Sequence, residues 1–450
     1  MIAPARTAAF HGLRAIDSDA MDLPAALAQS RRHLTDDRDR ALAAEIITGT
    51  LRWQRSLNHL VVHFARRPLQ KMDVDVLIIL RLSIYQLLHL DRVPASAVVD
   101  DAVDLTRAAR KPSASGFVNG VLRSILRQRH RLPLPARPPD GNDREAALAY
   151  LGITHSHPDW LVTRWLDRYG FEATERWVQF NNEAPHLTIR ANQLRAPRDT
   201  IAASLDRDGV ETTPTRYAPY GLTVASGNPL RTADHSLFFV QDEASQLVPL
   251  AVDARPGARV LDLCASPGGK TTAMAAEMDD RGVLVASDVR PKRIALLRDT
   301  VASSGARHTH VVHIDRSGPL PFAAVFDRVL VDAPCSGLGT IRRDPDIRWR
   351  RTEADLSKFA EAQGALLRRA AEVVGSGGRL VYATCSSEPE ENEQVVETFL
   401  RERDDFALLD LRGHSHPALD AVLDDRGMLR TVPYRHELEA FFAAAMVRAR

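Results

Sequence analysis

LDLCASPGGKTT, residues Leu261 to Thr272, decides the fold. It continues an apolar run that begins at Arg259 and then breaks at Pro267, Gly268 and Gly269 before a helical pattern from Lys270. Glycines in such a strand-to-helix turn let a ligand approach the backbone closely. Asp288 closes VLVASD, the next apolar run. It follows the glycines by about 20 residues, the spacing at which an acidic side chain accepts hydrogen bonds from ribose hydroxyls. Together these residues describe a nucleoside site. The loop is not GxGxxG, which weighs against a nicotinamide dinucleotide and an oxidoreductase. Asp315, at the end of HTHVVHID, is placed either to meet the base of the same nucleoside or to cap a helix.

Working outward, strand and helix patterns alternate: a helix from Pro291, the strand FDRVLVDAP, a helix from Glu353 to Val374, the strand RLVYATCS and a helix from Glu391. This alternation predicts a doubly wound parallel sheet over residues 237–450, with ligands at the carboxyl ends of its strands. Two further clusters fall at such ends. VLVDAPCSGLGT, from Val329, delivers Asp332 and Cys335 into a turn, and LVYATCSSEPEEN delivers Thr384, Cys385 and Ser386 ahead of an acidic helix start. A free Cys is more often a small buried hydrophobe than a nucleophile. Here all three, Cys264, Cys335 and Cys385, stand at strand ends, which favours chemistry. They form no CxxC pair and their number is odd, against a disulfide scaffold or a structural zinc site. No metal is expected.

Upstream the pattern changes twice. Residues from about 22 to 131 carry apolar positions at three- and four-residue spacing and show no strand alternation, so an all-α domain is expected over 1–135. RLPLPARPPDGND, from Arg131 to Asp143, reads as a connection. A small α+β segment over 136–236 follows, with helices in HPDWLVTRWLDRYG and FEATERWVQFNN and strands in HLTIRAN and YGLTVAS. The 450 residues, 44% hydrophobic and 26% charged, suit about three globular units, and no fixed-period repeat is present. Residues 1–140 hold 21 Lys and Arg against 14 Asp and Glu, although the whole chain is only +1. A basic amino-terminal third suits a polyanion-binding module or a solvated helix surface equally. The longest apolar stretch, Val76 to Leu90, contains Arg81 and falls short of the roughly 20 residues a bilayer requires. With no secretory signal in MIAPARTAAFHGLRAID, a cytoplasmic protein without membrane contact is expected.

DLCASPGGKT, DAPCSG and ATCS, in that order, resemble the motifs of the Sun family of S-adenosylmethionine-dependent RNA cytosine C5-methyltransferases. HPDWLV at His157, NNEAP at Asn181 and VQDEAS at Val240 resemble the family's middle segment, and SGFVNGVLR at Ser115 resembles a NusB-type RNA-binding domain. The resemblance implies a Rossmann-like methyltransferase domain and S-adenosyl-L-methionine held by Cys264, Ala265, Ser266, Pro267, Gly268, Gly269, Lys270, Asp288, Asp315 and Asp332. It implies small-subunit ribosomal RNA as partner and no protein partner. A transfer RNA substrate, or a non-catalytic assembly factor, is the competing reading, and loss of a motif cysteine or of Asp332 would have favoured the latter. Departures from the family pattern are Ser266, Asp344, and Glu439 with Ala440, the last pair carried over without a function.

Carbon 5 of cytosine is too electron-poor to attack a methyl donor until a nucleophile adds at carbon 6. The resemblance gives that addition to Cys385 and a part in product release to Cys335. Asp332 is the candidate to neutralise charge at N3, a task that requires a carboxyl with a raised pKa. Cys385 requires the opposite, with Lys270 or a helix N-terminus as the source of positive charge. Five arginines in IRRDPDIRWRR (Arg342, Arg343, Arg348, Arg350, Arg351), with Trp349 as a stacking face, are expected to meet RNA phosphates and bases.

Overall fold

The computed structural model describes residues 2–450, apart from the side chain of Thr232. The chain divides into two compact units, the first made of Met1–Glu183 with Ile341–Arg351, the second of Ala184–Thr340 with Thr352–Arg450.

The first unit is helical. Helices Pro4–Asp17, Leu23–His33, Asp37–Arg52, Gln54–Ala65, Val74–His89, Ala95–Ala108 and Ser115–Arg127 follow one another without a strand. Asp22, Asp36 and Asp73 each cap a helix by accepting from backbone N–H groups of the first turn. Val74–His89 is the central helix, buried from Val76 through Gln86. An apolar stripe all the way round demands a core position rather than a surface one. Its Arg81 is satisfied there by Asn58 Oδ1 at 2.7 Å. No described helix is long and apolar enough to cross a membrane.

The proline stretch after Arg131 is irregular, as expected, but it is tied down. His59 Nε2 meets the Pro133 carbonyl at 2.7 Å, Thr154 Oγ1 donates to the Pro135 carbonyl at 2.7 Å, and Arg137 pairs with Glu175 at 2.8 Å. The helical unit therefore runs past this stretch and takes in helices Asp159–Tyr169 and Phe171–Asn182.

The second unit holds two sheets. Strands β1 (Thr188–Ala191), β2 (Glu211–Pro214), β3 (Gly221–Ser226) and β4 (Phe238–Val240) form an antiparallel sheet of order β2-β3-β1-β4. Helix Arg198–Arg207 packs Ile201 and Leu205 against its Ile189, Ala191 and Leu222. The larger sheet contains β5 (Arg259–Asp262), β6 (Val283–Asp288), β7 (Thr309–His313), β8 (Phe326–Asp332), β9 (Val374–Thr384), β10 (Phe406–Leu409), β11 (Leu429–Arg430) and β12 (Phe442–Arg448). Its order is β10-β12-β9-β8-β5-β6-β7, with β11 paired to β12. Successive residues of its strands feed opposite cores. Val260, Leu330 and Val381 join the cluster on one face, while Leu261, Val329 and Leu380 join the cluster on the other. Each such side chain contributes about 1.5–3 kcal/mol on burial.

One expectation needs correcting. The sheet is mixed, because β12 runs antiparallel to both β9 and β10. Its sequence, FAAAMVR, is buried over its first five residues and rich in alanine, so it shows neither alternation nor a strongly β-branched run.

Chain order reverses between β5 and β8, which are parallel neighbours. A crevice at the carboxyl ends of strands opens at such a reversal. The sequence motifs all emerge there.

Candidate active site

Behind β5, Leu263 to Gly268 form the turn that precedes helix Gly269–Glu277. Gly268 has φ 110°, and a side chain there would press on Leu297 and Thr300. Only glycine adopts that backbone without strain. Ser266 Oγ donates to the Arg293 carbonyl at 3.1 Å, so the small-for-small departure at this position gains a tether. Asp262, fully buried at the end of β5, accepts from Thr271 Oγ1 at 2.7 Å through one oxygen, while its Oδ1 has no partner. Burial pushes this carboxyl up to about 7.

Asp288, at the end of β6, is buried and accepts from the Arg290 amide at 3.0 Å, with Arg293 Nη1 at 3.7 Å. A cavity of about 450 Å³ opens here, lined by Leu263, Cys264, Asp288, Ile314, Pro334 and Gln363 among others. That is the size of a small-ligand pocket, apolar with a few placed polar groups. Cys264 faces it as a thiol, since burial first and then Asp332 and Asp262 push its pKa up. Asp315 has an exposed side chain, and the neighbours Ile314 and Arg316 line the cavity in its place. The Asp315 carbonyl instead accepts from Arg369 at 3.1 Å.

A sulfonium donor with an ammonium group and ribose hydroxyls fits this donor and acceptor set. The orphaned Asp262 Oδ1 needs a hydrogen-bond donor, and Asp288 offers acceptors beside an apolar wall. Replacing Asp288 by Ala is expected to weaken S-adenosylmethionine binding by about 10- to 100-fold in calorimetry, the equivalent of one or two charge-assisted hydrogen bonds. An unchanged affinity would remove Asp288 from the cofactor site.

The second part of the site joins β8 to β9. Asp332 and Ala383 are partners in register, so the loops that follow them leave side by side. Cys335 Sγ and Cys385 Sγ stand 3.1 Å apart. The hydrogen bond to Cys385, then burial, holds Cys335 well above the usual thiol range. Cys335 is therefore held as a thiol against the Cys385 sulfur. Lys270 Nζ donates to Asp332 Oδ2 at 2.6 Å and lies 5.7 Å from the centre of the Phe441 ring. Burial works against the Lys270 ammonium, but attraction from Asp332 and also from Cys385 outweighs it and raises its pKa. Lys270, one of the two expected sources of positive charge, is within electrostatic reach of the Cys385 sulfur. The Asp332 carboxylate meets this ammonium rather than an apolar pocket.

The loop of Cys335 is pinned from two sides. The Gly339 amide donates to the Cys385 carbonyl at 2.9 Å, and the Ala440 amide donates to the Gly339 carbonyl at 3.0 Å. Ala440, without a function in the sequence, thus acts through its backbone. A Cβ at Gly339 would run into the Ala440 carbonyl and sit 2.7 Å from that of Cys385. Gly339→Ala is expected to lower the unfolding free energy by about 1–3 kcal/mol in urea titrations, as overpacking does. It should also slow turnover by pushing the cysteine loops apart. Wild-type stability and rate together would show that the loop has room to spare.

The expected arginine face is corrected in part. Ile341–Arg351 belongs to the helical unit. Arg348 is fully buried there and donates to the carbonyls of Ser156 at 2.9 Å and Asn181 at 3.2 Å and to Asn182 Oδ1 at 3.0 Å. Arg342 is buried against the Phe180 ring at 4.3 Å. Neither is available to phosphates. Trp349, Arg350 and Arg351 instead border a cavity of about 420 Å³ within the same unit. The sequence reading also missed Glu391, which is fully buried and bonded to residues of both cysteine loops.

A pocket at the reversal of a mixed seven-strand path, with the reversed strand next to the edge, is the architecture of a Rossmann-like methyltransferase fold. The family of 16S rRNA methyltransferases RsmB/F matches residues 249–447, the NusB family residues 3–127, and the RsmF/B-like ferredoxin-like domain residues 157–231. The chain is 33% identical over 415 residues to the Probable ribosomal RNA small subunit methyltransferase B of Bacillus subtilis, covering 91% of each chain. It is 32% identical over 420 residues to the ribosomal RNA small subunit methyltransferase B of Citrobacter koseri, covering 92% of this chain and 91% of that one. The crystal structure of PH0851 superposes with a TM-score of 0.80 at 27% identity over 99% of both chains. The chain belongs to the RsmB/F methyltransferase family, with a NusB-like helical domain, a ferredoxin-like middle domain and a Rossmann-like methyltransferase domain.

Proposed function

We propose that the protein methylates carbon 5 of a cytosine in small-subunit ribosomal RNA, through a covalent adduct between Cys385 and carbon 6. The observation that carries this reading is the pair of sulfurs 3.1 Å apart at adjoining strand ends, beside the Lys270–Asp332 pair. The names of the relatives supply the RNA class. S-adenosylmethionine, held by the loop from Cys264 to Lys270 together with Asp288, supplies an electrophilic methyl group.

The Cys385 sulfur attacks carbon 6, and the ring electrons shift toward carbon 5 and N3. Lys270, as the adjacent cation, offsets the charge that builds at the ring edge, and Asp332 shares in this only when it carries a proton to donate to N3. Methylated carbon 5 then gives its proton to solvent water, the electrons of that carbon–hydrogen bond form the carbon 5–carbon 6 double bond, and those of the carbon 6–sulfur bond return to sulfur. Cys335 touches that sulfur and is the group placed to assist the release. A base must leave its stack to be reached on both faces, at a cost of a few kcal/mol that is smallest in a loop.

The test is to incubate the protein with labelled S-adenosylmethionine and either small-subunit ribosomal RNA or transfer RNA, then digest the RNA to nucleosides. Label in 5-methylcytidine from the ribosomal RNA is expected. Label in any other nucleoside would overturn the chemistry, and label in transfer RNA alone would overturn the substrate.

A further inference from the structure

Glu391 closes the short turn Pro389–Glu391 and is wholly enclosed. Its Oε1 accepts from the Ser336 amide at 2.8 Å and from Gln363 Nε2 at 2.9 Å. Its Oε2 accepts from the hydroxyls of Ser336 and of Ser386, the latter at 2.6 Å. The two serines also meet each other at 3.3 Å. Each serine directly follows one of the paired cysteines. Asn392, next in the chain, reaches only the Cys385 side, through Thr384 Oγ1 and the Ser386 carbonyl. Glu391 is the group that grips both loops with one carboxylate.

We infer that Glu391 is a positioning residue that sets the distance between the Cys335 and Cys385 sulfurs, and through it the rate of the covalent steps. This rests on the reaction proposed above for its catalytic consequence, but not for its geometric one. The four donors sit on three elements remote in sequence, so the carboxylate fixes the spacing of the loops that carry the two thiols. Geometry of this kind matters steeply, since a shift of about 1 Å in a reacting group costs on the order of a hundredfold in rate.

Thiol coupling tests the geometry without RNA or cofactor. With diamide, the two thiols give up two electrons and two protons to the azo bond, forming one sulfur–sulfur bond and a hydrazine. Coupling is followed on the full-length protein by peptide mapping of the Cys335–Cys385 link. Glu391→Ala is expected to slow coupling by about tenfold or more, and to lower kcat by at least about tenfold with KM for RNA nearly unchanged. Glu391→Gln, which keeps the shape and the acceptor for the Ser336 amide, should restore coupling to within about threefold of the parent. A Glu391→Ala protein that unfolds cooperatively yet couples its thiols at the parental rate would overturn the inference. If that variant does not fold, Ser386→Ala removes the Cys385 side of the grip and Ser336→Ala weakens the Cys335 side, leaving only the backbone amide there; each should slow coupling, and parental rates in both would overturn the inference equally. Absence of 5-methylcytidine from every variant and from the parent would count against the proposed reaction, while the coupling rates would still decide the role of Glu391.

Discussion

Cys385→Ala is expected to cut methyl transfer by about a thousandfold or more while leaving S-adenosylmethionine affinity within about twofold. The separation of the two effects follows from the architecture. The cavity proposed to hold the donor is built from the ends of β5, β6 and β8, with Leu263, Asp288 and Pro334 in its wall, whereas Cys385 directly follows β9. Removing the sulfur removes the addition at carbon 6 and leaves that wall intact. Label incorporation into RNA and calorimetric titration of the donor measure the two quantities on one preparation. Turnover within about tenfold of the parent would exclude Cys385 as the nucleophile, since no other side chain supplies the covalent step in this scheme.

Cys335→Ala is expected to have a different signature. Addition and methyl transfer should proceed, but the enzyme should stall as a protein–RNA adduct that survives denaturing electrophoresis. Steady turnover should fall by about a hundredfold, the range of a lost proton-transfer group. Cys335 is held as a thiol against the Cys385 sulfur, the position from which it can serve the elimination but not compete for the ring. In the double variant with Cys385→Ala the adduct should vanish. An adduct absent from the single variant, with turnover intact, would take release away from Cys335.

The sequence was most informative where short apolar strands end in small or reactive residues. Leu261, Val329 and Val381 read as strand because they are buried in runs, and a run of that kind delivers whatever follows it to the carboxyl edge. Cys264, Asp332 and Cys385 were therefore placeable from one dimension. What stayed hidden depended on partners far along the chain. Glu391 looked like one of several acidic residues at a helix start, and only the approach of Ser336, 55 residues earlier, turns it into a buried acceptor. Arg348 read as a phosphate ligand because it lies among other arginines, yet its acceptors are contributed by residues 166 and more positions away. The strand Phe442–Arg448 escaped because its alanines are chosen to fit between layers, which leaves no periodic mark.

The piece Ile341–Arg351, contributed to the helical unit from far down the chain, makes that unit discontinuous. A polypeptide ended at Glu183 would be an incomplete object, with the carbonyls of Ser156 and Asn181 stripped of the guanidinium that now fills them. Dissection of this protein into an autonomous helical half by simple truncation should therefore give an insoluble fragment. Supplying the missing eleven residues, fused behind a short linker, is the rational way to recover it.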